Sequence, residues 1–383
     1  GFYKNCIFVI RSFFFGRWLL ALNYTWRNII LAPISCIYGS ITAIRNWLYD
    51  KGVFKSTMFN FPVISVGNLT VGGTGKTPHV EFMLQIIKSN LKVAVLSRGY
   101  KRKTKGFVLA DEHASSIRIG DEPFQIFTKN RDVTVAVDEK RVHGINAIRE
   151  KLPETSLILL DDAFQHRQVV AGLSILLTDY SRLFTRDSHL PGGLLRENQK
   201  GYKRADIIIV TKCPENLSAI EMRLIEKEIN VKAHQQLYFS TYVYDDIKPV
   251  FPECSVGEQT LNQIKRNGTG ILLVAGIVSP QPIIEFLNKY SSVIETMFFK
   301  DHHSFQMNDI RAIEKKLGSM NVKEKLILVT EKDASRIVSM TDFPEALKQV
   351  IYSIPIRVKI LNDQEQLFIQ KITSYVAENS RNS

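Results

Sequence analysis

Cysteine is scarce and scattered. Cys6, Cys36, Cys213 and Cys254 form no Cys-x-x-Cys pair, which argues against a zinc knuckle or a disulfide framework and fits a reducing compartment. The sequence has no low-complexity tract and no internal repeat, so an ordered globular class is expected rather than a solenoid or a disordered tail. Long uninterrupted apolar runs are missing as well. The longest uncharged stretch, Asn28 to Ile44, contains Pro33, Ser35, Gly39, Ser40 and Thr42, and a membrane span needs about 20 apolar residues. No secretory signal is evident, since Lys4, Arg11 and Arg17 interrupt the aromatic-rich opening and no small-residue cleavage site follows. Acidic residues are in deficit, 38 against 50 basic, for a net charge of +12. That balance points to anionic partners: phosphorylated small molecules, an acidic membrane surface or nucleic acid. Aromatic residues are not interleaved with the basic ones as a base-stacking surface requires, which disfavours nucleic acid.

What the chain does contain is a phosphate cradle. Residues 64–78 read Ile-Ser-Val-Gly-Asn-Leu-Thr-Val-Gly-Gly-Thr-Gly-Lys-Thr-Pro, an apolar strand entering a glycine-rich turn before an amphipathic helix. Gly72, Gly73, Thr74 and Gly75 can turn successive N–H groups toward one anion. Lys76 can reach the β and γ phosphates of a nucleoside triphosphate, and Thr77 can hold Mg²⁺. The strict spacing asks for glycine where this chain has Thr70.

With 383 residues, 45% of them hydrophobic, the chain can build two buried cores. From residue 60 onward, apolar runs alternate with helical patterns. The expected fold is α/β: a doubly wound, mostly parallel P-loop sheet, a second and smaller α/β domain, and an N-terminal amphipathic helix. The expected divisions are 1–55 for the N-terminal interfacial helical segment, 56–236 for the P-loop domain, 237–268 for linker strands and 269–383 for the smaller domain. In the first of these, Ile30, Ile34, Ile37, Ile41, Ile44 and Leu48 fall on one helical face, flanked by Arg27, Arg45 and Lys51. Such a face can lie in a membrane interface or pack on the protein's own core.

Several polar groups accompany the cradle. Leu157 to Asp162 is an apolar strand ending in two carboxylates; Asp161 and Asp162 can complete a Mg²⁺ site beside Thr77. Gln165 and His166 follow at once. Gly120-Asp121-Glu122-Pro123 marks a helix start, and on spacing alone Asp121 reads as a cap, with a base near the γ phosphate as the functional alternative. Arg98 opens a basic loop on the ligand-binding edge of the sheet, and Arg196 with Glu197 sits in a Pro-Gly-Gly loop as a candidate phosphate and metal contact. His302 and His303 lack the spacing of a zinc pair, so a base or hydrogen-bonding role is expected. Thr211-Lys212-Cys213-Pro214 follows a strand as a guanine-reading loop would, but without that loop's carboxylate.

Taken together, Val66 to Pro78, Ser97-Arg98-Gly99-Tyr100, Gly120-Asp121-Glu122-Pro123, Asp161 to His166, Leu190-Pro191-Gly192-Gly193, Asp301-His302 and Thr330 to Ala334 resemble the tetraacyldisaccharide 4'-kinase family, the lipid A 4'-kinases of Gram-negative bacteria. The resemblance runs from about residue 29 to about residue 335, and this family's P-loop also lacks the first strict glycine. Ala163 stands where many members have glycine, and residues 1–28 precede the resemblance as a possible extension. The resemblance implies transfer of phosphate from ATP, with Mg²⁺, to the 4'-hydroxyl of tetraacyldisaccharide 1-phosphate at the cytoplasmic face of the bacterial inner membrane. It further implies a catalytic Asp121–His302 pair with Lys76, and acceptor contacts among Arg98, Glu122, Arg141, Gln165, His166, Arg196 and Glu197. A monomer is the working expectation. The alternative from another class is a membrane-associated P-loop switch or targeting NTPase that phosphorylates no acceptor.

Overall fold

The computed structural model describes residues 24–88, 91–254, 259–277, 280–300, 303, 305–340 and 342–380. Its main elements in chain order are α1 (Tyr24–Asp50), β1 (Val63–Asn68), α2 (Lys76–Ile87), β2 (Val93–Ser97), α3 (Asp121–Lys129), β3 (Thr134–Val137), α4 (Arg141–Lys151), β4 (Leu157–Asp161), β5 (Leu173–Asp179), β6 (Ile207–Thr211), α5 (Ala219–Ile229) and β7 (Gln236–Tyr244). A second set follows: β8 (Gly270–Ala275), α6 (Gln281–Leu287), β9 (Ile294–Phe298), α7 (Met307–Ser319), β10 (Lys325–Thr330), α8 (Glu331–Val338), β11 (Ile351–Ile354), β12 (Ile356–Ile360) and α9 (Glu365–Ser380).

Strands buried on both faces read as continuous apolar runs, and β1 and β4 are buried at every residue. They lie side by side at the centre of the larger sheet, in the order β12-β7-β6-β5-β1-β4-β2-β3, which ends in the short strand Val108–Leu109. From β7 to β3 all neighbours are parallel. After β1 the chain moves to one side, through α2 to β2; after β4 it crosses to the other side, to β5 and β6. The reversal puts a crevice at the C-terminal ends of β1, β4 and β5, where ligands bind in open α/β sheets. One sheet face packs Ile64 and Val66 against Val80, Met83 and Leu84 of α2 and Phe368 and Ile372 of α9. The opposite face packs Leu96, Ile158 and Leu160 against Ile145 and Ile148 of α4. The smaller sheet runs β11-β10-β8-β9 in parallel, with Lys248–Pro249 antiparallel on β11.

The expected domain limits differ from this pairing. The strand Gln236–Tyr244, all but its first residue assigned to the linker, belongs to the larger sheet, where it runs parallel to β6. Residues 356–380, assigned to the smaller domain, also return to the larger sheet. There β12 pairs antiparallel with β7, and Phe368 of α9 stacks on Phe82 and meets Tyr238 edge-on. The chain therefore passes between the sheets twice, and Asp245 N–H donates to the Pro355 carbonyl where the two passes meet (3.2 Å).

The N-terminal helix packs on the protein through small polar residues rather than through its isoleucines. Ser35 and Thr42 are buried. Ser35 Oγ accepts from Gly192 N–H (2.9 Å), and Gly39 lies so close to His189 that a Cβ would fall 3.2 Å from its ring. Ile37, Ile41 and Ile44 face outward at 62%, 60% and 59% exposure. No helix among the described residues is long and apolar enough to cross a membrane. Residues 1–23, with the aromatic-rich opening, lie outside the described residues.

Candidate active site

The strand ends of the larger sheet assemble the site. Asn68 closes β1, and its Nδ2 donates to Thr74 Oγ1 (2.8 Å), folding the glycine turn back over the sheet. Thr211, at the end of β6, donates to the Thr74 carbonyl (2.9 Å), and Lys212 donates to the Gly73 carbonyl and pairs with Asp179 (2.7 Å). The Thr-Lys-Cys-Pro segment thus braces the cradle. Gly75 has φ +85° and caps α2, and a Cβ there would fall 2.0 Å from the Tyr242 hydroxyl. Only glycine meets both conditions.

His79 secures the first turn of α2. Its Nδ1 lies 2.7 Å from the Gly75 carbonyl and its Nε2 2.9 Å from Ser240 Oγ. A carbonyl only accepts, so Nδ1 carries the proton and Nε2 accepts from the serine. Burial lowers the imidazole to about 4, which keeps it neutral near pH 7.

Lys76 and Thr77 are almost wholly buried at the start of α2, and Asp161 ends β4 with Asp162 next in sequence. Lys76 Nζ lies 3.7 Å from Asp162 Oδ1, and Arg196 Nη1 lies 2.9 Å from the same oxygen. Burial by itself would raise Asp162; Lys76 and Arg196 outweigh it and hold the carboxyl well below the usual range. Asp161 has the opposite balance. It is fully buried and accepts from Ser97 Oγ (3.0 Å), while its Oδ1 has no hydrogen-bond partner. Burial, then the neighbouring Glu122 and Asp162 charges, push it up to about 7. A buried carboxylate with an unpaired oxygen and too little positive charge around it suits a hard cation. Among the described residues no group of three or more His, Cys, Asp or Glu side chains forms a ready-made metal cage. That is compatible with Mg²⁺, which takes one or two carboxylates and completes its shell with water and substrate phosphates.

The structure brings most of the expected residues to this crevice but gives some a different employment. Gln165 donates to the Asn68 carbonyl (2.7 Å) and to Glu197 (3.2 Å). His166 is lowered to about 3 by burial and then by Arg141 and Arg98, so it is neutral near pH 7. Arg98 itself is exposed. Arg141, expected to touch the acceptor, is fully buried under β4, donating to the Asp138 and Asp161 carbonyls. Glu197, expected as a phosphate and metal contact, is fully buried too. Its carboxylate takes Arg204 (2.9 Å) and Asn46 of α1 (2.6 Å), so it ties the N-terminal helix to the loop and is not open to a ligand.

Asp121 begins α3, and its first-turn neighbour Glu122 is close enough to Asp161 to raise it, so this helix start faces the carboxylate pair. Across the crevice stands Arg336 of α8, which the sequence reading missed. Its Nε (3.1 Å) and Nη2 (3.0 Å) donate to Asp121 Oδ2, and its Nη1 donates to Asp333 Oδ1 (3.0 Å). Asp333 is fully buried and accepts from Thr330 Oγ1 (2.7 Å) and Gly276 N–H (2.9 Å). The available signal was the Asp333/Arg336 spacing, which puts the two side chains on one helix face. His302, with Asp301, lies outside the described residues.

Comparison with known proteins gives this geometry its lineage. The family model described as tetraacyldisaccharide-1-P 4'-kinase matches residues 27–376. The chain is 49% identical over 358 residues to the tetraacyldisaccharide 4'-kinase of Bacteroides thetaiotaomicron, covering 92% of this chain and 94% of that one. It is 42% identical over 350 residues to that of Flavobacterium johnsoniae, covering 91% and 97%. A crystal structure of "apo" form LpxK from Aquifex aeolicus in complex with ATP superposes with a TM-score of 0.69 at 27% identity, covering 91% of this chain and 99% of that one. A phosphate cradle backed by paired carboxylates, on a chain matched nearly end to end by these kinases, belongs to the tetraacyldisaccharide 4'-kinase family.

Proposed function

We propose that this kinase transfers the γ-phosphoryl group of ATP to the 4'-hydroxyl of tetraacyldisaccharide 1-phosphate. The observation that carries the reading is Lys76 beside Asp162, with Asp161 Oδ1 unpaired next to it. In our reading the glycine turn and Lys76 bind and orient the phosphates. Asp121 accepts the proton of the acceptor hydroxyl, with His302 supporting it, and Arg196 and Arg98 serve anionic groups. Thr77, Asp161 and Asp162 would hold Mg²⁺. When bound, the ion neutralises charge on the transferring phosphoryl group. The loose transition state leaves the protein chiefly positioning and electrostatic work, so a modest base suffices.

The outward isoleucine ridge of α1 supports peripheral attachment to the cytoplasmic face of the inner membrane, where a tetraacylated acceptor is embedded. The test is transfer of labelled γ-phosphate from ATP to purified tetraacyldisaccharide 1-phosphate in detergent, with Lys76→Ala as control. A phosphorylated lipid that is lost in the control supports the proposal. ATP hydrolysis with no lipid product would refute it.

A further inference from the structure

Helix α3 carries Asp121 at its first residue and Lys129 at its last. It packs against α8 of the second lobe, whose first residue is Glu331 and whose last turn holds Arg336. The two helices run antiparallel and are bonded at both ends: Asp121 to Arg336 (3.0 Å), and Lys129 to Glu331 (2.6 Å). The two bonds sit eight positions apart on α3, roughly 12 Å along its axis. Two attachments that far apart fix the tilt and rotation of one helix on the other, which one bond cannot do.

The far attachment reaches further. Lys129 Nζ also lies 2.6 Å from Glu81 of α2, the helix that starts in the phosphate cradle, and Gln125 of α3 donates to the other Glu81 oxygen (2.9 Å). Glu331 accepts from Ile356 N–H (3.3 Å), where the chain crosses back to the larger sheet. The Glu81 and Glu331 side chains are only 7% and 14% exposed and that of Lys129 33%, so these are partly buried pairs, less screened by salt than fully exposed ones.

We propose that Lys129 and Glu331 are positioning residues for phosphoryl transfer: together with Glu81 they lock α3 to the nucleotide helix and to the second lobe, and so set the approach of Asp121 to the phosphate. The inference rests on Asp121 acting as the acceptor's base.

The test uses the full chain in the lipid phosphorylation assay. Glu331→Gln removes one charge and keeps an acceptor for Ile356, so it is the variant least able to unfold the protein; Lys129→Met is the second. Each is expected to lower kcat about tenfold with the KM for ATP changed less than about twofold, a split that a general loss of structure would not produce. Lys129→Arg, which keeps a cation able to span both carboxylates, is expected to restore most of the rate. In an Asp121→Asn background, Glu331→Gln is expected to cause no further loss, because both changes act through the same carboxylate. A crippled Asp121→Asn enzyme combined with wild-type rates in both clamp variants, or with losses that multiply, overturns the clamp alone. Wild-type turnover in Asp121→Asn overturns the base reading and the clamp with it.

Discussion

Arg336 and Asp121 stand 215 residues apart in sequence and share two hydrogen bonds to one carboxylate oxygen. The third arm of the same guanidinium holds the buried Asp333. One planar fork therefore joins the start of α3, which faces the Asp161–Asp162 pair, to the second lobe. Arg336→Lys keeps the charge but cannot bridge two carboxylates in fixed geometry. We expect it to lower kcat at least about tenfold, and Arg336→Ala to cost about 3 kcal/mol in urea unfolding by stranding Asp333. Wild-type kcat in Arg336→Lys would show that the fork is not needed for turnover.

If the proposed site is right, Lys76→Ala is expected to weaken ATP binding and to reduce transfer by at least about a hundredfold, because in that site its ammonium, 3.7 Å from Asp162, has the phosphate charge to neutralise. Titration calorimetry with ATP and the lipid assay read the two effects separately. Asp121→Asn is expected to spare the binding and lose the transfer.

His79 predicts an acid limit to stability. Its folded value is about 4 against 6.5 in a free imidazole. Between those values the unfolded chain takes up a proton that the folded chain refuses. The contribution is complete above pH 6.5 and falls as pH drops toward 4, at up to about 1.4 kcal/mol per pH unit. His166, lowered to about 3, adds in the same sense. Urea midpoints across this range are expected to slope with pH, and His79→Gln to flatten the slope by about one proton. An unchanged slope in the variant would remove His79 from the account.

The outward face of α1 predicts membrane binding without a structural cost. Ile37→Glu, Ile41→Glu and Ile44→Glu together are expected to weaken co-sedimentation with anionic vesicles at least about tenfold. Thermal unfolding should barely move, because these side chains touch solvent in the folded protein. Undiminished vesicle binding would move the attachment elsewhere on the molecule.

The cradle was legible because its chemistry is local: glycines, Lys76 and Thr77 are consecutive, and β1 and β4 are apolar runs with polar ends. Asp161 and Asp162 were legible for the same reason. What the sequence hid was contact across distance. Ile356–Ile360 is a short alternating run with nothing to tell which sheet it joins, and its partner strand lies more than 100 residues earlier. Arg141 was expected at the acceptor from the resemblance and Glu197 from its place in a loop at the ligand edge; their burial depends on Asp161, Asn46 and Arg204 arriving from elsewhere, which no local pattern shows. The isoleucine stripe of α1 has the period of a core-facing helix, and only the small residues opposite it decided which side meets the protein.

The double crossing between the sheets bears on how the chain is made. On the ribosome, the strands around the phosphate cradle emerge first, yet Gln236–Tyr244 waits as a bare strand edge until Ile356–Ile360 has been synthesised. The Phe82 face of the nucleotide helix likewise waits for Phe368. The entire second lobe is translated inside that interval, so the nucleotide-binding lobe is the first to emerge and the last to have all its strands and helices available.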